Sequence, residues 1–79
     1  MSDIREKCTK VMSKVFEVDA SRINDETSPD SLPQWDSLGH VQMVLGLEKM
    51  FSIKISPEEG IDLETFKMIV DCIEKKTEN

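Results

Sequence analysis

The sequence has no tyrosine, one tryptophan and three phenylalanines, so leucine, isoleucine, valine and five methionines must fill most of any core. It has two cysteines, Cys8 and Cys72, and one histidine, His40. There is no C-x-x-C pair and no Cys/His cluster, which excludes the usual zinc spacings. Both thiols fall at apolar positions of helical patterns and read as buried and reduced. No apolar run approaches the roughly 20 residues that cross a bilayer. The opening Met1-Ser2-Asp3-Ile4-Arg5-Glu6-Lys7 lacks an apolar signal region, so the chain reads as cytoplasmic, without membrane insertion. Basic residues are outnumbered, 10 against 16 acidic, for a net charge of −6. That field repels phosphate backbones and argues against nucleic acid. It favours encounter with basic protein partners. Length sets the last limit: 79 residues make one small domain, which buries only about 60% of its unfolded-chain surface. A deep, water-excluding active site is hard to build at that size. A binding, carrier or regulatory module fits better than an enzyme.

What the sequence does contain is helical periodicity. Ile4, Cys8, Val11, Met12, Val15 and Phe16 form one apolar stripe over residues 3 to about 17. Ser2 or Asp3 can cap its start. Residues 37–51 form a second helix with an apolar arc wider than one core contact needs. Leu38, Val41, Leu45 and Glu48 lie on one side, and Met43, Val44, Leu47, Met50 and Phe51 spread over neighbouring angles. Part of that arc is expected to stay exposed for a partner. Ile53-Lys54-Ile55 alternates like a strand but is too short to pair alone, and reads as an extended connector. Ser56-Pro57-Glu58-Glu59 places serine at N-cap, proline at N1 and glutamate at N3, a strong start for a short third helix. Leu63, Phe66, Ile69, Val70 and Ile73 mark a last helix from 64 to about 76, with Lys75 and Lys76 complementing its C-terminal dipole. Thr77-Glu78-Asn79 is expected to fray. The fold class is all-α: a small four-helix bundle of three longer helices and one short one.

Between the first two helices, residues 18–36 are rich in turn formers: Asp19, Ser21, Asn24, Asp25, Thr27, Ser28, Pro29, Asp30, Ser31 and Pro33. Val18, Ile23 and Leu32 pin this loop to the core. A loop this long is unusual in a small domain and often functional. Its acidic residues do not make a calcium loop, because Ile23 takes a ligand position after Asp19 and Ser21 and no glycine follows.

The loop ends at Trp35-Asp36-Ser37-Leu38-Gly39-His40. Three readings of Ser37 arise. In the first, Asp36 or Ser37 caps the second helix. In the second, Ser37 is a nucleophile, since Asp36-Ser37-Leu38-Gly39 comes near G-x-S-x-G. A nucleophile elbow requires a strand-turn-helix in a large sheet, no such sheet fits here, and His40 has no orienting acid; it reads as a surface helix residue. In the third, Ser37 is a modification site. A serine at a helix start beside a loop is accessible, and the free N–H groups and dipole there favour a phosphodiester. Asp36 could help hold the Mg²⁺ that a transferring enzyme brings.

Asp36-Ser37-Leu38, followed by Val41, Leu47-Glu48 and Phe51, resembles the signature of acyl carrier proteins and peptidyl carrier domains. The resemblance covers nearly the whole chain: first helix, long loop, D-S-L helix, short helix after Ser56-Pro57-Glu58-Glu59, and a last helix led by Leu63-Glu64-Thr65-Phe66. It implies a single carrier domain over residues 1–79 that catalyses nothing itself. Ser37 would carry covalent 4′-phosphopantetheine, installed by a phosphopantetheinyl transferase with Asp36 assisting. Acyl or aminoacyl groups would be held as thioesters and delivered to acyl-activating, synthase or acyltransferase enzymes. Leu38, Gly39, Val41, Gln42, Leu45 and Glu48 would form the docking face. Met43, Leu47, Phe51, Ile55, Leu63, Phe66 and Ile69 are candidates to line a space for the acyl chain, or are ordinary core. A monomer is expected.

The sequence also departs from the family pattern. Fatty-acid carriers typically place acidic residues right after D-S-L, whereas Gly39, Gln42, Lys49 and Met50 stand in this helix and Glu48 is its only carboxylate after Ser37. Trp35 replaces a small residue. These features look more like carriers of specialised pathways, such as cell-envelope lipid or glycan, polyketide or peptide assembly. The alternative to a carrier is an unmodified helical interaction module that uses the Leu38–Phe51 helix.

Overall fold

The computed structural model describes residues 3–77. Four α-helices follow in order: α1 (Asp3–Phe16), α2 (Ser37–Phe51), α3 (Pro57–Ile61) and α4 (Phe66–Thr77), with a short 3₁₀ turn at Ala20–Arg22 in the first loop. No strand occurs among the described residues. The all-α expectation is met, with four helices in the expected order. α1 packs against α2 and α4. Cys8, Val11, Met12 and Phe16 of α1 meet Met43 and Leu47 of α2 and Phe66, Ile69, Val70 and Ile73 of α4 in one core. Leu32 and Trp35 from the loop, Ile55 from the connector and Leu63 complete it. The connector holds no strand; its buried Ile55 donates its backbone N–H to Glu48 Oε2 (2.7 Å).

α1 ends where Glu17 adopts a left-handed backbone (φ 56°), which turns the chain back on itself. Val18 N–H then reaches Ser13 O (3.2 Å), and Ser13 Oγ donates to Val18 O (2.6 Å). The proposed Ser2 cap lies outside the described residues. Asp3 is the first helical residue rather than a cap preceding the helix.

The first loop has more structure than its composition suggests. Thr27 is buried, accepts from Asn24 N–H (2.9 Å) and donates to Arg22 O (3.4 Å). The loop backbone in turn accepts from the start of α4: Phe66 N–H donates to Thr27 O (2.9 Å) and Lys67 N–H to Asp25 O (3.2 Å). Thr65 Oγ1 accepts from Met68 N–H (3.2 Å). These contacts satisfy the orphan amides of a helix start, so α4 begins at Phe66, two residues later than periodicity predicts. At its other end Thr77 is still helical and donates its hydroxyl to Ile73 O (2.8 Å). The rest of the expected frayed tail, Glu78 and Asn79, falls outside the described residues.

α3 starts as expected. Ser56 Oγ accepts from Glu59 N–H (3.2 Å) and Glu59 Oε1 accepts from Ser56 N–H (2.9 Å), a complete capping box. Glu59 also pairs with Lys76 of α4 (2.8 Å). That bond holds the Glu59 carboxyl below the usual carboxylate range and raises the Lys76 ammonium. Cys8 is buried and Cys72 half-buried, both as free thiols. Burial pushes the Cys8 thiol up to about 12 and raises Cys72 in the same sense.

Candidate functional site

Ser37 is the first residue of α2 and is exposed. Asp36, not Ser37, is the N-cap. Its extended backbone (φ −100°, ψ −169°) lets Oδ1 accept from Gly39 N–H at 2.8 Å. His40 N–H takes the first intrahelical bond, to Asp36 O (2.8 Å). Of the orphan amides at this end, those of Ser37 and Leu38 have no partner among the described residues, and neither has Ser37 Oγ. The serine hydroxyl is therefore free, solvent-facing and next to two unused N–H donors. That is suitable ground for an attached phosphodiester.

A groove of about 480 Å³ opens beside Ser37, lined by Pro29, Trp35, Asp36, His40, Ile61, Leu63 and Glu64. It runs from the serine toward the turn after α3. Its walls mix apolar surface with a few polar groups, which suits a slender amphipathic chain.

The floor of this site is where the sequence reading needs correcting. His40 is not a free surface residue. Trp35 Nε1–H donates to His40 Nδ1 (2.9 Å), and His40 Nε2 lies 2.8 Å from Gly60 O. An indole nitrogen only donates and a carbonyl only accepts, so the imidazole proton must sit on Nε2. The two rings lie nearly parallel (11°) with centroids 6.2 Å apart, and Trp35 also stacks on Phe16, with centroids 5.7 Å apart. The signal for this arrangement was present: the chain's only tryptophan and only histidine flank Ser37, five residues apart.

Leu38, Val41, Gln42 and Leu45 of the proposed docking face are exposed. Gly39 is not on that face. It is buried, and a Cβ there would meet Gln34 O at 2.5 Å and Phe16 Cε1 at 2.9 Å. The position is glycine because the loop backbone presses against the helix. Glu48 is half-buried and bound to the connector through Ile55 N–H. Exposed Ile61 stands across a second groove from Val41 and Leu45 and extends the apolar surface beyond α2; its sequence position gave no periodic hint of that.

Of the seven acyl-space candidates, Met43, Leu47, Ile55, Leu63, Phe66 and Ile69 are buried in the core cluster. Phe51 only packs at its edge, with Lys7 Nζ 5.9 Å from its ring centroid.

No protein-family model matches the chain. Among curated proteins, an acyl carrier protein of Buchnera aphidicola subsp. Acyrthosiphon pisum (strain Tuc7) is 34% identical over 77 residues, covering 96% of this chain and 95% of that protein. The acyl carrier protein of Buchnera aphidicola subsp. Schizaphis graminum is 31% identical over 77 residues, covering 96% of each chain. That of Thermosynechococcus vestitus is 31% identical over 75 residues, covering 95% of this chain and 93% of its own. The chain belongs to the acyl carrier protein family. Its role is that of a carrier and not of an enzyme. A phosphopantetheine prosthetic group goes with the family in general. No helix of the described residues is long and apolar enough to cross a membrane.

Proposed function

We propose that the whole chain acts as one carrier domain whose covalent 4′-phosphopantetheine arm is attached at Ser37. The observation that carries the reading is the free Ser37 hydroxyl at the N-terminus of α2, with Asp36 beside it as cap. When bound, the group supplies a terminal thiol that holds an acyl or aminoacyl cargo as a thioester. The residues of this chain do the rest. Asp36 fixes the first turn through Gly39 N–H and keeps one carboxylate oxygen available toward a transferase's Mg²⁺. The amides of Ser37 and Leu38 offer N–H groups to the phosphodiester. Pro29, Ile61 and Leu63 give the groove apolar walls along which an arm can lie.

Leu38, Val41, Gln42 and Leu45 present the docking surface to a phosphopantetheinyl transferase and to acyl-activating, synthase or acyltransferase enzymes. Gly39 and Glu48 support that surface from behind. Met43, Leu47, Ile55, Leu63, Phe66 and Ile69, with Phe51 at the rim, are the side chains that an acyl chain would have to part in order to enter the bundle. Four of them, Met43, Leu47, Phe66 and Ile69, are among the largest fully buried side chains. Methionine adapts to a guest more readily than branched residues do. The chain works as a cytoplasmic monomer in lipid or specialised-metabolite assembly.

Intact-mass analysis after incubation with coenzyme A and a broad-specificity phosphopantetheinyl transferase tests the assignment. The mass of one phosphopantetheine should be gained by the wild type and lost in Ser37→Ala. No gain on the wild type, or an equal gain on Ser37→Ala, overturns it.

A further inference from the structure

Three contacts form one continuous brace across the bundle. The Phe16 ring of α1 stacks on Trp35 of the loop, Trp35 donates to His40 of α2, and His40 donates to the Gly60 carbonyl of α3. Ser37 lies within the segment that this brace spans, and Trp35 and His40 both line the groove beside it. α3 has only five residues, far below the length at which a helix holds itself together in water. Its place depends on external ties. The capping box closes its first turn, and Glu59 reaches Lys76 through a partly exposed ion pair. At the other end, the side chain that ties it to α2 is His40, through Gly60 O. Ile61 and Leu63, which follow that carbonyl, form the far side of the groove.

We propose that Trp35 and His40 are positioning residues that set the distance between Ser37 and α3, and so the width of the groove in which an arm on Ser37 lies. Trp35 holds the imidazole ring in one orientation and one tautomer. His40 passes that orientation to the end of α3. Release of the Gly60 carbonyl lets the Ile61 side swing away and exposes whatever the groove shelters. The part concerning the arm rests on the carrier reading of Ser37; the part concerning α3 does not.

The two imidazole nitrogens can be tested separately. In His40→Asn the side-chain oxygen can take the place of Nδ1 and keep the Trp35 bond, but the side chain is too short for Gly60. In His40→Gln the amide nitrogen can take the place of Nε2 and keep the Gly60 bond. Amide hydrogen exchange on the unmodified chain, read at Gly60, Asp62 and Leu63, should quicken about five- to tenfold in His40→Asn, the factor expected for losing one ordinary hydrogen bond. His40→Gln should stay near wild type at those amides, and the α1 and α4 amides should not change in either variant. Trp35→Phe keeps one aromatic ring for stacking while removing the N–H. It should give a smaller rise at the same three amides, and it serves if a His40 variant does not fold.

On the phosphopantetheinylated chain, the arm thiol should react faster with a disulfide reagent in His40→Asn than in His40→Gln. Burial raises the thiol pKa of both Cys8 and Cys72, so the arm supplies the fast phase. Equal exchange at Gly60, Asp62 and Leu63 in all variants, or a uniform rise over every helix, overturns the brace. Failure of Ser37 to take up the arm overturns the carrier reading instead, and leaves the exchange result to decide the brace alone.

Discussion

On one side of α2, Gly39, Met43 and Leu47 are buried; on the other, Leu38, Val41 and Leu45 are 67%, 54% and 58% exposed. Both sides are apolar in sequence. The inner side is explained by what covers it, since α1 and α4 close over Met43 and Leu47. The outer side has no cover within the described residues, and it is not a scatter of single residues. Leu38, Val41 and Leu45 stand at i, i+3 and i+7, with exposed Ile61 across a groove from the last two. A contiguous apolar surface beside an accessible serine is the expected form of a face that other proteins must recognise again and again. On the proposed docking role, one helix serves the fold with one side and partners with the other, so substitutions on the two sides should behave in opposite ways.

The largest effect on stability belongs to the inner side. Leu47→Ala leaves a cavity among α1, α2 and α4 and should lower unfolding free energy by about 2–5 kcal/mol. Chemical denaturation measures it. Total stability for a chain of this size is only about 4–12 kcal/mol, so the variant should be visibly unfolded at moderate urea. A loss below about 1 kcal/mol would break the comparison, because Leu47 would then not be core.

Gly39→Ala comes next. In most helices this change stabilises by about 1 kcal/mol. Here the new methyl carbon meets the Gln34 carbonyl oxygen at 2.5 Å and Phe16 at 2.9 Å. Backbone cannot withdraw as a flexible side chain can, so a net cost of about 1–3 kcal/mol is expected. The sign is the test, read from thermal melts of the two proteins side by side. A stabilised variant would show that the loop before Ser37 yields easily, and Gly39 would return to the outer side.

These two positions also show how far the sequence could be read. The helices, their order and the capping box at Ser56 follow from period and cap chemistry, which are local. The start of α4 is not local: it waits for Thr27 and Asp25 carbonyls some forty residues earlier in the chain, and periodicity alone places it too early. The docking face that the family resemblance implies includes Gly39, yet a one-residue step from exposed Leu38 turns a helix by about 100° and carries Gly39 to the buried side. His40 reads as a surface residue because no helical periodicity pairs it with another side chain. Its partners are Trp35, five residues back, and a carbonyl twenty residues on. That Asp36 and Ser37 open α2 was legible because a helix start is a local event. The groove beside them was not, since Ile61 and Leu63 reach it only through the placement of α3.

A smaller change tests that placement. Ser56→Ala removes one half of the capping box and should cost about 0.5–2 kcal/mol, seen as a lowered melting temperature. The outer surface continues from α2 onto α3, so this variant should also weaken docking without touching any docking residue. Equal melting curves would mean that the Glu59–Lys76 pair and His40 hold α3 without its cap.

The smallest effect on stability is expected on the outer side of α2, where the effect on the rate of loading is large. Val41 is more than half exposed, and aspartate and valine have similar helix propensities, so Val41→Asp should alter stability by no more than about 0.5 kcal/mol. The charge nevertheless falls in the middle of the outer stripe, where a partner would have to bury it unpaired. The rate of phosphopantetheine transfer to Ser37 at limiting carrier concentration should therefore drop at least tenfold, with the same final mass on long incubation. Ser37→Ala, in contrast, should abolish the mass gain at any time. This pair separates a docking defect from loss of the attachment point. If Val41→Asp were loaded at the wild-type rate, the transferase would not read this stripe, and exposure on α2 would need another partner. If Val41→Asp unfolded the protein instead, the outer side would be core after all, and the contrast between the two faces of α2 would be lost.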